Sequence, residues 1–100
     1  MKSYAEHFTS HIRLTILLIL TEAPSYSAND SVLDTAVNGL GLSTTRDRIR
    51  TELAWLEEQG LLSRTEPMQG VIVATISPRG KDVAEGRAQC PGVQRPAPKG

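Results

Sequence analysis

The sequence predicts one small α+β domain that is mainly helical, with a three-helix core, a two-stranded β-hairpin and a short C-terminal helix. Three observations favour this class. The first 60 residues hold apolar residues at helical spacing, interrupted by two breaks. Two short β-prone runs then flank a loop. The length of 100 residues suits one modest core, which must be aliphatic because only 4% of residues are aromatic.

The first helix is predicted from Tyr4 to about Ala23, ending before Pro24. Its apolar residues between Ile12 and Leu20 surround the axis instead of forming one stripe. Because a helix that is apolar all round is buried on several sides, we expect it to be the central helix or to supply a subunit interface as well.

A polar connector, residues 25–31, precedes the second helix, which ends near Asn38 and has Asn29 or Asp30 as its N-cap. The run Asn38–Gly41 breaks this helix, since Gly and Asn accept the left-handed conformation that ends helices. We expect Leu42 to turn inward across the break.

The third helix is predicted to begin at Ser43 or Thr44, with a capping box over Thr44–Asp47, and to end at Gly60. Its core stripe has the spacing i, i+4, i+7 and consists of Ile49, Leu53 and Leu56. Residue Trp55 lies on the outward side, and we expect it to pack against the hairpin or the first helix.

Two β-runs follow, residues 61–64 and residues 71–77, around a loop at Glu66–Gly70. The second run alternates, so one of its faces can cover the helices. A last helix is expected from Pro78 to about Arg87, because proline suits the first helical position.

Residues 88–100 hold three of the six prolines and little to bury. We therefore predict a domain over residues 1–87 and a disordered Pro-rich tail over residues 88–100. The single cysteine, Cys90, excludes an intramolecular disulfide. The N-terminus lacks the pattern of a signal peptide, and the longest apolar run is far shorter than the roughly 20 residues that span a bilayer. We expect a cytoplasmic protein without a membrane partner.

Two helices joined by a tight glycine-containing turn, with a hairpin directly after them, make a winged helix-turn-helix. In that fold the N-terminal half of the third helix enters the major groove of DNA. Residues 44–50 carry three arginines against one aspartate, whereas residues 51–59 carry three glutamates and no base. Arginine suits phosphates and guanine edges because its fork donates two parallel hydrogen bonds. The predicted DNA contacts here are Thr44, Thr45, Arg46, Asp47, Arg48, Arg50 and Thr51.

The wing is the weaker half of this interpretation, because its loop holds an acidic residue and no base. Phosphate contacts beyond the third helix are therefore assigned to Arg64, Arg79 and Lys81. The arginine-rich helix has an alternative explanation, since Arg48 and Glu52 have the spacing of an i,i+4 ion pair on a solvated face. With zero net charge and an acidic N-terminal half, the competing function is a protein-interaction or assembly module without direct DNA readout.

No catalytic motif is evident, so we expect no enzyme. His7 and His11 have the spacing of a metal pair on a helix, but a third ligand is not apparent. We accordingly expect no metal, no other cofactor and no small-molecule effector.

The residues resemble the winged-helix regulator superfamily of MarR, PadR and ArsR-like proteins. The resemblance covers about residues 4–87 and rests on Ser43–Asp47 with Ile49 and Leu53, on Trp55–Leu62 and on Thr75–Gly80. The compact size and short wing are similar, more narrowly, to a small winged-helix protein of Mu-like phages and prophages. The resemblance implies a phage-encoded DNA-binding protein for transcription regulation or packaging in a bacterial or infected host cell. We expect duplex DNA as its partner and a homodimer formed through the first helix or the terminal helices.

Overall fold

A computed structural model describes residues 2–97 of the chain. Four helices and three strands follow one another as α1 Tyr4–Glu22, β1 Ser27–Asn29, α2 Asp30–Gly39, α3 Arg46–Glu58, β2 Leu62–Met68, β3 Val71–Ile76 and α4 Pro78–Ala84. A single 3₁₀ turn, Pro24–Tyr26, joins α1 to β1. The strands form one antiparallel sheet in the order β1-β3-β2. This α+β arrangement is winged-helix-like, as the sequence predicted in outline.

Helix α1 is the central helix of the domain, which confirms its predicted position. It begins with a capping box in which Ser3 and Glu6 bond each other's backbone N–H groups. It packs against the three other helices and against β3. Its fully or nearly fully buried apolar residues are Ile12, Leu14, Ile16, Leu17 and Leu20.

The predicted connector 25–31 contains β1, so the prediction of a two-stranded sheet was incomplete. Ser25 and Tyr26 have φ values of 56° and 57°, in the left-handed region. The chain turned in this way runs antiparallel to β3, with Ser27 opposite Thr75 and their hydroxyls 2.6 Å apart. A strand of three polar and small residues has no hydrophobic alternation, so its sequence does not predict it. It forms because it can pair with the free edge of β3.

The turn between α2 and α3 differs in detail from the prediction. Asn29 caps α2, as expected, by accepting from the N–H of Val32. Helix α3 is capped by Thr45, whose hydroxyl accepts from the N–H of Arg48, so the predicted capping box over Thr44–Asp47 was wrong. The physical reason is that the backbone of Thr44 is held outside the helix, where its N–H and C=O both bond the Asn38 side chain. Leu42 packs against the core, as predicted.

The wing is longer than predicted, because β2 continues to Met68. The expected loop Glu66–Gly70 shrinks to a turn at residues 69–70, with Gly70 at φ 84°. Strand β2 lies at the sheet edge, where proline is tolerated, and Pro67 falls in a stretch without a paired residue on β3. The register is irregular between Thr65 and Met68. In β3 the inward face predicted from alternation is confirmed, with Ala74 and Ile76 buried.

The predicted disorder of residues 88–100 is not what the structure shows for residues 88–97, which we call the C-terminal strap. Cys90 and Val93 are buried in the core cluster, and the N–H of Gln94 donates to the carbonyl of Ser10 at 3.1 Å. Proline-rich composition hid this, because an irregular segment can dock through a few small apolar residues. The packed region therefore passes residue 87, while α4 itself ends at Ala84. Residues 98–100 lie outside the described part of the chain.

Within residues 2–97, none of the helices combines the length and apolar character that crossing a bilayer would require.

Gly80, in the first turn of α4, permits a close approach between α4 and the start of β2. A Cβ atom at this position would lie 1.9 Å from the carbonyl oxygen of Leu61 and 2.8 Å from a side-chain carbon of Ile76. The Leu61 oxygen is backbone and also accepts from the N–H of Ser77, so it has little freedom to move. Packing thus explains the glycine of the Pro78-Arg79-Gly80 motif.

We predict that Gly80→Ala lowers the free energy of unfolding by about 1–3 kcal/mol, because the added methyl group must push α4 away from Leu61. Urea denaturation followed by circular dichroism measures this change in the free energy of unfolding. Gly39→Ala is the matched control: no atom lies within 4 Å of its Cβ position, and the change should stay within about 1 kcal/mol. An unchanged midpoint for Gly80→Ala would contradict the packing explanation.

Candidate nucleic-acid interface

The three arginines of α3 are held by two buried carboxylates, one on each side of the helix. Asp30, the first residue of α2, is fully buried, and Glu52 in the middle of α3 is 3% exposed. Arg46 and Arg50 bind Asp30, while Arg48 binds Glu52. The predicted arginine cluster therefore exists, but each arginine already has an internal partner.

The Asp30 cluster joins α2, α3 and the wing. The Nε atoms of Arg46 and Arg50 donate to Oδ2 of Asp30 at 3.0 and 2.5 Å. Their Nη2 atoms both donate to the carbonyl oxygen of Gly70, at the tip of the wing. The other oxygen of Asp30 accepts from the N–H of Ser31. Through these two arginines, one carboxylate fixes the relative positions of α2, α3 and the wing turn.

Asp30 stays ionised despite its burial. Burial by itself raises the pKa of this carboxyl group, but the hydrogen bonds from Arg50 and Arg46 and the charges of both arginines outweigh it. The pKa of Asp30 consequently lies below its ordinary value. The cluster is therefore a true ion pair network at neutral pH.

The Glu52 cluster joins α3 to α1. Oε2 of Glu52 accepts from Nε of Arg48 at 2.8 Å, and Oε1 accepts from Nε of Arg13 at 2.7 Å. The Nη2 atom of Arg48 also donates to the hydroxyl of Thr9 at 2.7 Å. The Arg48–Glu52 pair considered as the alternative explanation of the motif does form, but its carboxylate is buried instead of solvated.

Each carboxylate faces two guanidinium groups, so each cluster keeps an excess of one positive charge. The side chains of Arg46, Arg48 and Arg50 are 47%, 37% and 38% exposed. All three use Nε and Nη2 for internal contacts, and their Nη1 atoms make no hydrogen bond within residues 2–97. The N-terminal half of α3 therefore offers guanidinium N–H groups on side chains whose orientation is already fixed.

The other predicted contacts on this helix surround those arginines. Asp47 and Thr51 are exposed, and the Thr51 hydroxyl donates to the carbonyl of Asp47. Thr45 is occupied as the helix cap, and Thr44 is fixed through its backbone by Asn38. The structure thus brings residues 44–51 to one end of α3.

Arg64, Arg79 and Lys81 do not join this cluster. Arg64 binds Glu57, near the opposite end of α3: its Nε and Nη2 atoms both donate to Oε1, and its backbone N–H donates to Oε2. These side-chain and backbone hydrogen bonds lower the pKa of the Glu57 carboxyl group. Lys81 lies 5.0 Å above the ring of Tyr26, on α4, the helix that packs against α1. Arg79 is exposed on the same helix. Their assignment to DNA contact remains a prediction without support from proximity.

Trp55 packs as predicted, through a residue of α1. The guanidinium carbon of Arg13 lies 3.6 Å from the centre of its ring. Gly92 of the C-terminal strap also approaches the ring, since a Cβ atom added there would lie 2.8 Å from Cζ2 and Cη2 of Trp55. The residue is therefore part of the internal packing.

His7 and His11 are both exposed on α1. Among residues 2–97, no group of three or more His, Cys, Asp and Glu side chains is arranged to hold a metal ion.

The sequence reasoning missed the residues that organise the site, namely Thr9, Arg13, Asp30, Glu52 and Gly70. One signal was available: Arg46 and Arg50 are one helical turn apart and flank the predicted core stripe, so they face a neighbouring element. Asp30 was recognised as a helix-start residue but not as their partner. The contributions of Thr9, Arg13 and Gly70 depend on contacts distant in sequence and left no local pattern.

Comparisons with known proteins identify relatives of the chain and structures that share its fold. No family model matches the chain. The chain is 41% identical over 91 residues to the uncharacterized protein gp26 of Escherichia phage Mu, which covers 91% of this chain and 93% of gp26. It is 42% identical over 77 residues to an uncharacterized protein of Haemophilus influenzae, covering 77% and 74%. The chain belongs to the family of phage Mu gp26.

Solved structures of H. salinarum RosR share the fold. RosR grown from NaBr matches with a TM-score of 0.64 and 17% identity, over 74% of this chain and 66% of RosR. The complex structure RosR–S1 matches with a TM-score of 0.63 and 17% identity, over 77% and 67%. The chain thus spans about two thirds of the RosR chains. At this identity the similarity establishes the winged-helix-like fold alone.

We predict that Asp30→Asn lowers the free energy of unfolding at neutral pH by about 1–3 kcal/mol, since it removes charged hydrogen bonds to two arginines. Because the pKa of Asp30 is lower in the folded than in the unfolded chain, the unfolded chain binds more protons as the pH falls below about 5. Wild-type stability should therefore decrease toward acid, and less steeply in Asp30→Asn.

Urea titrations between pH 7 and pH 3 measure both effects. Asp82→Asn is the control, because Asp82 is exposed on α4 and should keep the wild-type acid dependence. An Asp30→Asn protein with the same loss of stability toward acid as the wild type would show that Asp30 does not carry this charge.

Proposed function

We propose that this protein binds duplex DNA through the N-terminal half of α3, as a small non-enzymatic transcriptional regulator encoded by a phage or prophage. One observation carries the proposal: two buried carboxylates fix three arginines at the start of α3 and leave their Nη1 groups available. The relationship to a phage protein and the fold shared with RosR support it.

Fixed arginines suit phosphate and base recognition. A guanidinium that is already oriented loses little conformational entropy on binding, and its remaining N–H groups match phosphate or guanine acceptors. The positive end of the α3 dipole lies at the same place. The two excess charges give this end of a chain with zero net charge a local attraction for a polyanion.

In this proposal the wing is placed beside the DNA but adds little positive charge to the interface. Its turn is tied to α3 because the Gly70 carbonyl accepts from both Arg46 and Arg50. The strands of the wing carry Arg64, but that charge is paired with Glu57. We therefore expect the wing to lie beside the DNA backbone without holding it electrostatically.

A second candidate function is supported by exposed apolar side chains. Leu40, in the turn between α2 and α3, and Met68, next to the wing turn, are both largely exposed. A protein partner would bury such residues, whereas a phosphate backbone would not use them. The competing proposal is therefore a protein-interaction or assembly module.

We predict that Arg46→Ala and Arg48→Ala each weaken binding to a random-sequence duplex by about three- to tenfold at 0.1 M salt. Each should also make the log–log salt slope shallower by about 0.9 if one phosphate contact is lost. Fluorescence anisotropy between 50 and 200 mM salt measures both. Each single variant leaves its carboxylate paired with a second arginine, so the domain should remain folded.

Arg87→Ala is the control, because Arg87 is exposed after α4 and pairs only loosely with Glu85 at 3.6 Å. Wild-type protein that shows no salt-dependent binding at micromolar concentration would contradict DNA binding. If Leu40→Ser or Met68→Ser abolished binding to a protein partner while the arginine variants still bound it, the protein-interaction module would be favoured.

A homodimer remains part of the proposal. Leu18 of α1 and Tyr26 are partly exposed and border a groove with the end of α4, where a second copy would cover them. Sedimentation velocity should show a species of twice the 10.9 kDa chain mass, and Leu18→Glu should return it to the monomer. A wild-type protein that sediments as a monomer at 100 μM or so would exclude this dimer.

A further inference from the structure

The C-terminal strap contacts, at Gly92, the same cluster that holds Arg48. The carbonyl oxygen of Gly92 accepts from Nη1 of Arg13 at 3.1 Å. Gly92 has a φ of 98°, and a Cβ atom there would lie 2.8 Å from two ring carbons of Trp55. Buried Cys90 and Val93 anchor the strap on either side. Position 92 thus requires glycine for both its conformation and its contact.

Arg13 connects the strap to α3. Its guanidinium stacks on Trp55 at 3.6 Å, donates through Nε to Glu52 and donates through Nη1 to Gly92. Its side chain is 16% exposed. The strap therefore supplies one of the three contacts that keep this arginine out of water.

Glu52 couples Arg13 to Arg48, because one carboxylate binds both arginines. Each oxygen of the carboxylate accepts from one arginine, Oε1 from Arg13 and Oε2 from Arg48. While Arg13 is bound, the single negative charge of Glu52 is shared between two guanidinium groups, so the cluster keeps one excess positive charge. If Arg13 moved away, Arg48 would be the only cation on this carboxylate, and the excess positive charge beside Arg48 would be lost.

We propose that the C-terminal strap is a positioning element of the nucleic-acid interface, which keeps Arg48 available for DNA by holding Arg13 on Glu52. Arg13 is on this view a positioning residue and does not itself touch DNA. The inference rests on the proposed function for its DNA readout, but the coupling from Gly92 to Arg48 exists without DNA and can be measured separately.

The test is a double-mutant cycle with Gly92→Ala and Arg48→Ala. Gly92→Ala displaces the strap from Trp55 and should weaken duplex binding about three- to tenfold, with a shallower salt slope. In the Arg48→Ala background the same change should have no further effect. Gly60→Ala is the matched control, since Gly60 also has a positive φ but no atom within 4 Å of its Cβ position. Arg13→Lys provides a second variant, which keeps the charge but cannot make the three contacts of arginine.

The coupling itself is read from the Nε–Hε resonance of Arg48 in ¹⁵N-labelled protein without DNA. Gly92→Ala and Arg13→Lys should shift this resonance, and Gly60→Ala should leave it in place. An unshifted resonance in both strap variants, or an equal loss of DNA affinity with and without Arg48, would overturn the inference. A shifted resonance in a protein that fails to bind any duplex would support the coupling and refute the DNA-binding function alone.

Discussion

The fully buried carboxylate of Asp30 is the contact on which the proposed binding face depends. It lies at the start of α2, accepts from two arginines of α3, and those arginines in turn bond the wing turn at Gly70. Asp30 thereby fixes α2, α3 and the wing turn to one another. The hydrogen bonds and charges of the two arginines outweigh the cost of burying this carboxylate, which is why its pKa is lowered, and the cluster imposes one geometry on its partners.

Glu52 repeats this arrangement on the other flank of α3, with Arg13 as its second partner. The charge of this surface depends on the ratio of two arginines to each carboxylate. With one arginine, the charge would be cancelled and the face would be neutral; with two, the orientation is fixed and one positive charge remains. This ratio explains how a chain without net charge can present a positive helix end.

The fold was predicted well where a local pattern existed and incompletely where a contact distant in sequence decided it. The core stripe of α3, the Asn29 cap and the inward face of β3 follow from spacing and were confirmed. Strand β1 was missed because it is short and polar and forms only along the free edge of β3. The strap was missed because its few buried residues, such as Cys90, lie among prolines that indicate disorder.

The sequence by itself determined the order of the four helices and the β2–β3 hairpin, the arginines at the start of α3 and the acidic second half of that helix, because periodicity and residue type are local properties. Only the tertiary structure decided what those arginines do. The packing of α1, α2 and the wing around α3 determines which carboxylate each arginine binds. The same packing brings Arg13 and Gly92, which lie far apart in sequence, to the Glu52 cluster. The sequence determines which residues are charged. Distances in the folded chain determine whether each charge is neutralised, held in one orientation or available to a ligand.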